Sequence, residues 1–134
     1  DLEIANQSLS ININTQSLDD LLSKSDYISL HVPMPSDGKA VLSANEFNKM
    51  KDGVRIVNAA RGGVINEDDL IAAINSNKVA AAALDVFVGE PSPREDLLSN
   101  EKISLTPHIG AATNEAQDRI GVELADKIIA FYNQ

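Results

Sequence analysis

The sequence predicts an α/β protein, an incomplete doubly wound parallel sheet, and three observations carry that expectation. Short apolar runs of strand length recur at 27–32, 54–59, 80–86 and 103–106. Between them lie segments with helix-capping residues and helical spacing, where tight hairpin turns would otherwise be expected. Strands separated in this way pair in parallel through right-handed crossovers, with helices packed on the sheet.

Each element has its own reason. Ser17, with Asp20 at the third helical position, opens a short helix through about Ser23. Residues 27–32 form a strand that Pro33 and a turn-rich stretch terminate. Ser43 and Glu46 make a second capping box, whose helix runs to about Met50 before Gly53 turns the chain into strand 54–59. Asn66 caps the next helix; Glu67, Asp68 and Asp69 in its first turn complement the dipole, and Leu70, Ile71 and Ile74 supply its inner face. The run 80–86 is rich in alanine, which favours helix by propensity. It is too short and too tightly bounded by turns for a helix, so it reads as a closely packed central strand. Residues 103–106 form the last strand, and a long helix from about Asn114 to Tyr132 presents Ala116, Ile120, Leu124, Ile128 and Phe131 as an apolar stripe suited to core or domain-interface packing.

Composition narrows the function classes. With 134 residues, 43% of them hydrophobic, the chain is the size of one domain or part of one. No stretch approaches the roughly 20 apolar residues of a membrane span, and the first residues lack a basic and an apolar signal region, so a cytoplasmic protein without membrane partners is expected. The absence of cysteine removes disulfides and thiol chemistry, and two separated histidines argue against a metal site. A net charge of −9 without a basic run disfavours nucleic acid as a partner. An anionic small molecule would then need a local cation.

Three segments place a chemically competent residue just beyond a predicted strand. They are Asn58-Ala59-Ala60-Arg61-Gly62-Gly63, Leu84-Asp85-Val86-Phe87-Val88-Gly89-Glu90-Pro91 and Thr106-Pro107-His108-Ile109-Gly110. The carboxyl ends of parallel strands are where open α/β sheets bind ligands, so Arg61, Glu90 and His108 can converge on one crevice. The glycines, at 38, 53, 62, 63, 89, 110 and 121, nowhere make the Gly-x-Gly-x-x-Gly loop that cradles a pyrophosphate. The first βα unit that would carry it is missing from the pattern. The start at Asp1-Leu2-Glu3-Ile4, without Met, reads as the middle of a longer protein.

In order and context these segments resemble the D-isomer-specific 2-hydroxyacid dehydrogenases, most closely their phosphoglycerate dehydrogenase branch. The likeness runs from Ser17-Leu18-Asp19-Asp20 through Ser25-Asp26-Tyr27-Ile28-Ser29-Leu30-His31-Val32-Pro33 and the three segments above to Glu115-Ala116-Gln117. It implies a Rossmann-like fold, with residues 1–134 the C-terminal portion of an NAD-binding domain and the substrate domain elsewhere in a homo-oligomeric parent. It also implies a 2-hydroxy acid or 2-keto acid substrate, with 3-phosphoglycerate and 3-phosphohydroxypyruvate, a serine-biosynthesis pair, placed first. Glycerate, glyoxylate or lactate, or a non-catalytic dinucleotide-sensing module, are the alternatives.

Residue by residue, the resemblance makes His108 the general acid/base and Glu90 the carboxylate that orients its ring. Arg61 becomes the grip on the substrate carboxylate and carbonyl. Imidazole suits proton transfer near neutral pH, and a guanidinium fork suits bidentate capture of a carboxylate. Asp85 is implied as acceptor for the nicotinamide carboxamide, and Asp1 as the acid on the adenosine ribose that favours NAD over NADP. Val32, Ala59, Ala60, Arg61, His108, Ile109, Gly110 and Ala111 would line the dinucleotide.

Each residue also has a plainer reading. Arg61 alone would pass for a solvated turn residue, Glu90 for a loop acid and His108 for a backbone-satisfying strand end; their occurrence together favours a site. Asp85 in an apolar strand is either functional or a local structural cap, because a buried carboxylate needs partners. His31 is read as structural, and Glu67-Asp68-Asp69 as a helix start before any metal site.

Overall fold

The computed structural model describes residues 14–133. In chain order these form α1 (Leu18–Lys24), β1 (Tyr27–Leu30), α2 (Ala44–Lys49), β2 (Val54–Asn58), α3 (Glu67–Asn75), β3 (Val79–Leu84), α4 (Glu95–Leu98), β4 (Ile103–Leu105) and α5 (Asn114–Tyr132). The four strands make one sheet in the order β1-β2-β3-β4, every pair parallel. This is the expected open, Rossmann-like α/β arrangement, and β3 has a neighbour on each side as a central strand should.

Local chemistry sets the helix starts. The Ser17 side chain accepts from the Asp20 N–H at 3.2 Å, and the Asn66 side chain from the Asp69 N–H at 3.1 Å. The Ser43 N–H donates to the Glu46 carboxylate at 3.0 Å. Asp69 also accepts the Ala44 N–H at 2.9 Å, which ties the starts of α2 and α3 together. One short helix, α4, escapes the sequence reading. Its cap position is Arg94, which makes no capping hydrogen bond; the turn is instead held by Arg94 ion pairs to Asp68 at 2.7 Å and Asp96 at 2.6 Å, with Leu97 buried.

Among the described residues, strand alternation divides the sheet into a packed and an open face. On the packed side, register places Ile28, Ile56, Ala82 and Ile103 in one row and Leu30, Asn58, Leu84 and Leu105 in the next. Leu22, Phe47, Leu70, Ile74 and Leu97 from the helices complete this core. The opposite side carries Ser29, Val57, Ala83 and Ser104, and beside them Tyr27, Arg55 and Ala81. There Tyr27 is 69% exposed, with the Arg55 guanidinium 5.4 Å from its ring centroid. Helix α5 does not fulfil the core-packing expectation: it buries no residue, and Ile120, Leu124, Ile128 and Phe131 are all exposed. Its apolar stripe follows helical spacing, but spacing alone does not supply a surface to meet it. Among the described residues, no helix is long and apolar enough to cross a membrane.

Because all four strands point the same way, the segments after β1, β2, β3 and β4 leave from one edge of the sheet. That edge carries the candidate residues.

Candidate active site

After β2, the chain turns sharply around Asn58, a buried polar residue on the inward face of the strand. Its side-chain carbonyl accepts the Ala60 N–H at 3.1 Å, and its amide donates to the Arg61 carbonyl at 3.1 Å. The turn holds Arg61 at the mouth of a crevice of about 500 Å³ lined by His31, Val32, Pro33, Met34, Ala59, Ala60, Arg61 and Gly62. Arg61 is the one Lys or Arg among these lining residues, and its Nη1 donates to the Ala60 carbonyl at 2.6 Å. His31 accompanies the crevice but is tied to Ser29, with Nε2 and Oγ 2.7 Å apart, in keeping with its structural reading.

After β3 and β4, a second set of contacts forms. His108 Nδ1 lies 2.7 Å from Glu90 Oε2. Hydrogen bonding from His108 holds the Glu90 carboxyl below its ordinary 4.5; burial opposes this, and the Phe87 N–H, donating to Oε1 at 3.1 Å, adds to it. An ionised carboxylate only accepts, so Nδ1 carries the proton and the neutral ring keeps Nε2 as its acceptor. His108 itself has a φ of 55°, a left-handed backbone uncommon outside glycine. Such strain persists at functional sites where the surroundings over-determine it.

Asp85 supplies that restraint. Its Oδ1 accepts from the Thr106 hydroxyl at 2.6 Å and the Ile109 N–H at 2.9 Å, and its Oδ2 accepts from the Gly110 N–H at 2.9 Å. Burial pushes the Asp85 carboxyl up, but these three donors together outweigh it, and the net direction is down. The local-cap reading of Asp85 is therefore realised in the chain. Three of about four lone-pair directions are used, which leaves room for one further donor. Ile109 is half exposed at this rim, and the Ala111 carbonyl accepts from Gln117 Nε2 at 2.6 Å, joining the loop to the start of α5.

The two groups meet through backbone. A Cβ built on Gly62 would lie 2.3 Å from the Phe87 carbonyl oxygen, so the turn carrying Arg61 rests directly on the loop carrying Glu90. Glycine is required here for close approach. This backbone contact links a cation that lines the crevice to an imidazole held by Glu90, neither Glu90 nor His108 being among the crevice's lining residues; a cation and an oriented imidazole are the parts needed to bind an anion and move a proton.

Comparison with known proteins places the chain in a family. The family model for the NAD binding domain of D-isomer specific 2-hydroxyacid dehydrogenases matches residues 3–110. The chain belongs to that family. The D-isomer specific 2-hydroxyacid dehydrogenase relatives include D-3-phosphoglycerate dehydrogenase 2, chloroplastic, of Arabidopsis thaliana, 42% identical over 92% of this chain and 20% of the relative. Hydroxypyruvate reductase of Thermotoga maritima is 51% identical over 83% of this chain and 37% of the relative. Among solved structures, a glyoxylate reductase from Paecilomyes thermophila superposes with a TM-score of 0.76 at 40% identity, covering 87% of this chain and 35% of that one. The chain spans well under half the length of these dehydrogenases.

Two buried polar residues, Asn58 and Glu67, make contacts near this site that the sequence reading did not assign to them. Asn58 was signalled by alternation, since it follows Val54 and Ile56 on the buried face, where a polar side chain needs internal partners. Glu67 is 7% exposed and accepts the Val88 N–H at 2.7 Å, a contact across 21 residues that no local pattern announces. Asp1 lies outside the described residues.

Acid should loosen the Glu90–His108 pair. The depressed Glu90 carboxyl contributes stability above its ordinary 4.5, and that contribution disappears as pH falls through its lower folded value. Thermal melts of the wild type and Glu90→Gln should therefore differ at neutral pH and converge on acidification.

Proposed function

We propose that these residues form the later part of the NAD-binding domain of a D-2-hydroxyacid dehydrogenase that oxidises 3-phosphoglycerate to 3-phosphohydroxypyruvate. The observation that carries this reading is the 2.7 Å Glu90–His108 contact, joined through the Gly62–Phe87 backbone contact to the turn that carries Arg61. Arg61 binds the substrate carboxylate through its guanidinium fork and polarises the reacting carbonyl. His108 Nε2 accepts the hydroxyl proton as the C–H hydride departs and the C=O bond forms. Glu90 stays ionised and stabilises the resulting imidazolium while fixing the ring.

The residues present fit the nicotinamide end of NAD. Ala59 and Ala60 leave the end of β2 bare for close approach, Val32 gives an apolar wall, and Asp85 retains a direction for a carboxamide N–H. NAD, when bound, supplies a hydride acceptor. Asp85 fixes the loop behind His108 in the same state.

A second reading, reduction of hydroxypyruvate or glyoxylate, is favoured by the 51% identical hydroxypyruvate reductase. Arg61 serves the carboxylate of either substrate alike. Steady-state rates of the full-length protein with 3-phosphohydroxypyruvate, hydroxypyruvate, glyoxylate and pyruvate, each with NADH, decide between them. The phosphorylated acid should give the highest kcat/KM; a higher value with hydroxypyruvate or glyoxylate would replace the first substrate with the second.

A further inference from the structure

Glu67, Asp68 and Asp69 share the first turn of α3, yet they lie in different surroundings. The Asp68 side chain is 78% exposed, and its partner is the Arg94 guanidinium at the surface. Glu67 is buried, and its Oε2 has no hydrogen-bond partner among the described residues. Burying a carboxylate in that way is costly and is unnecessary for starting a helix.

Its other oxygen shows what the burial does. Oε1 accepts the Val88 N–H at 2.7 Å. The carbonyl of the same peptide group, Phe87 O, is the atom against which Gly62 packs, so closely that a Cβ would stand 2.3 Å away. One peptide plane is thus held at its N–H by Glu67 and at its C=O by the turn carrying Arg61. The Phe87 N–H, on the preceding peptide, donates to Glu90 Oε1, and Glu90 Oε2 meets His108.

We propose that Glu67 is a positioning residue: its buried carboxylate fixes the Phe87–Val88 peptide, and through it the placement of Glu90 on His108 relative to Arg61. This rests on the reading of Glu90 and His108 as the proton-transfer pair. Glu67 lies behind the loop and touches neither His108 nor Arg61 by a hydrogen bond, so its influence passes through backbone.

The test reads the Glu90 side-chain carboxyl by ¹³C NMR through an acid titration of this chain. His108→Ala should raise the Glu90 midpoint toward 4.5, because it removes the first cause of the depression. Glu67→Ala should raise it in the same direction, whereas Glu67→Gln, which keeps an acceptor for the Val88 N–H, should not raise it. Loss of a nearby negative charge could only lower the midpoint, so an upward shift reports geometry. Glu67→Asp retains the charge but withdraws it by one methylene, and should also raise the midpoint; it serves where the alanine variant does not fold. In the full-length protein, Glu67→Ala should lower kcat by about 10²-fold, as a small misplacement of catalytic groups can. Should His108→Ala shift Glu90 while Glu67→Ala and Glu67→Asp do not, the proposal is overturned and the Glu90–His108 pair stands. If His108→Ala leaves Glu90 unmoved, the pair itself fails, and the role of Glu67 with it.

Discussion

Replacing His108 by Gln in the full-length protein should lower kcat by about 10²- to 10⁴-fold, the usual contribution of a positioned general acid/base. The amide of Gln can still meet Glu90 but cannot cycle a proton near neutral pH. Its effect should fall mainly on kcat, with a smaller change in KM for the hydroxy acid. Glu90→Gln should show a weaker version of the same loss, since the imidazole would remain while its orienting charge is gone. Stopped-flow measurement of the hydride step in each variant checks this. A His108→Gln enzyme with wild-type turnover would remove His108 from the chemistry.

Arg61→Gln should cost about 10²- to 10³-fold in kcat/KM, comparable with removal of one preorganised donor to a developing oxyanion. Arg61 is the cation among the residues lining the crevice of a chain whose net charge is −9, so the carboxylate has no nearby substitute there. Arg61→Lys should recover only part of the loss, because it returns the charge without the planar fork. The contact of Nη1 with the Ala60 carbonyl is local and has an uncharged acceptor, and exchanging it for a substrate carboxylate strengthens the hydrogen bond. Initial-rate kinetics with the best substrate measure both variants; full kcat/KM in Arg61→Gln would assign carboxylate binding elsewhere.

Much of this site follows from local rules. Capping at Ser17, Ser43 and Asn66 and alternation in β1 and β2 locate the elements, and parallel pairing then forces the following segments onto one edge. The alanine run became a strand because its neighbours pair on both sides, where tertiary pairing overrides helix propensity. What remained hidden depends on contacts between distant segments. Helix α4 is held by the Arg94 ion pairs to Asp68 and Asp96, and Glu67 is buried by a loop 21 residues away. Asp85 reads equally as ligand or cap until the loop 106–110 is seen to fold around it. The apolar stripe of α5 is plain in sequence, but periodicity cannot name what a helix rests upon.

The open sheet face has a thermodynamic consequence for this chain. Hydrocarbon on Val57, Ala81 and Ala83, like that along α5, already meets water before the chain unfolds, so melting newly hydrates less of it than in a domain layered on both sides. The heat-capacity increment should fall short of the usual ~12–15 cal/mol/K per residue, and the free energy should decline gently with urea. Its stability curve would be a broad, shallow arch.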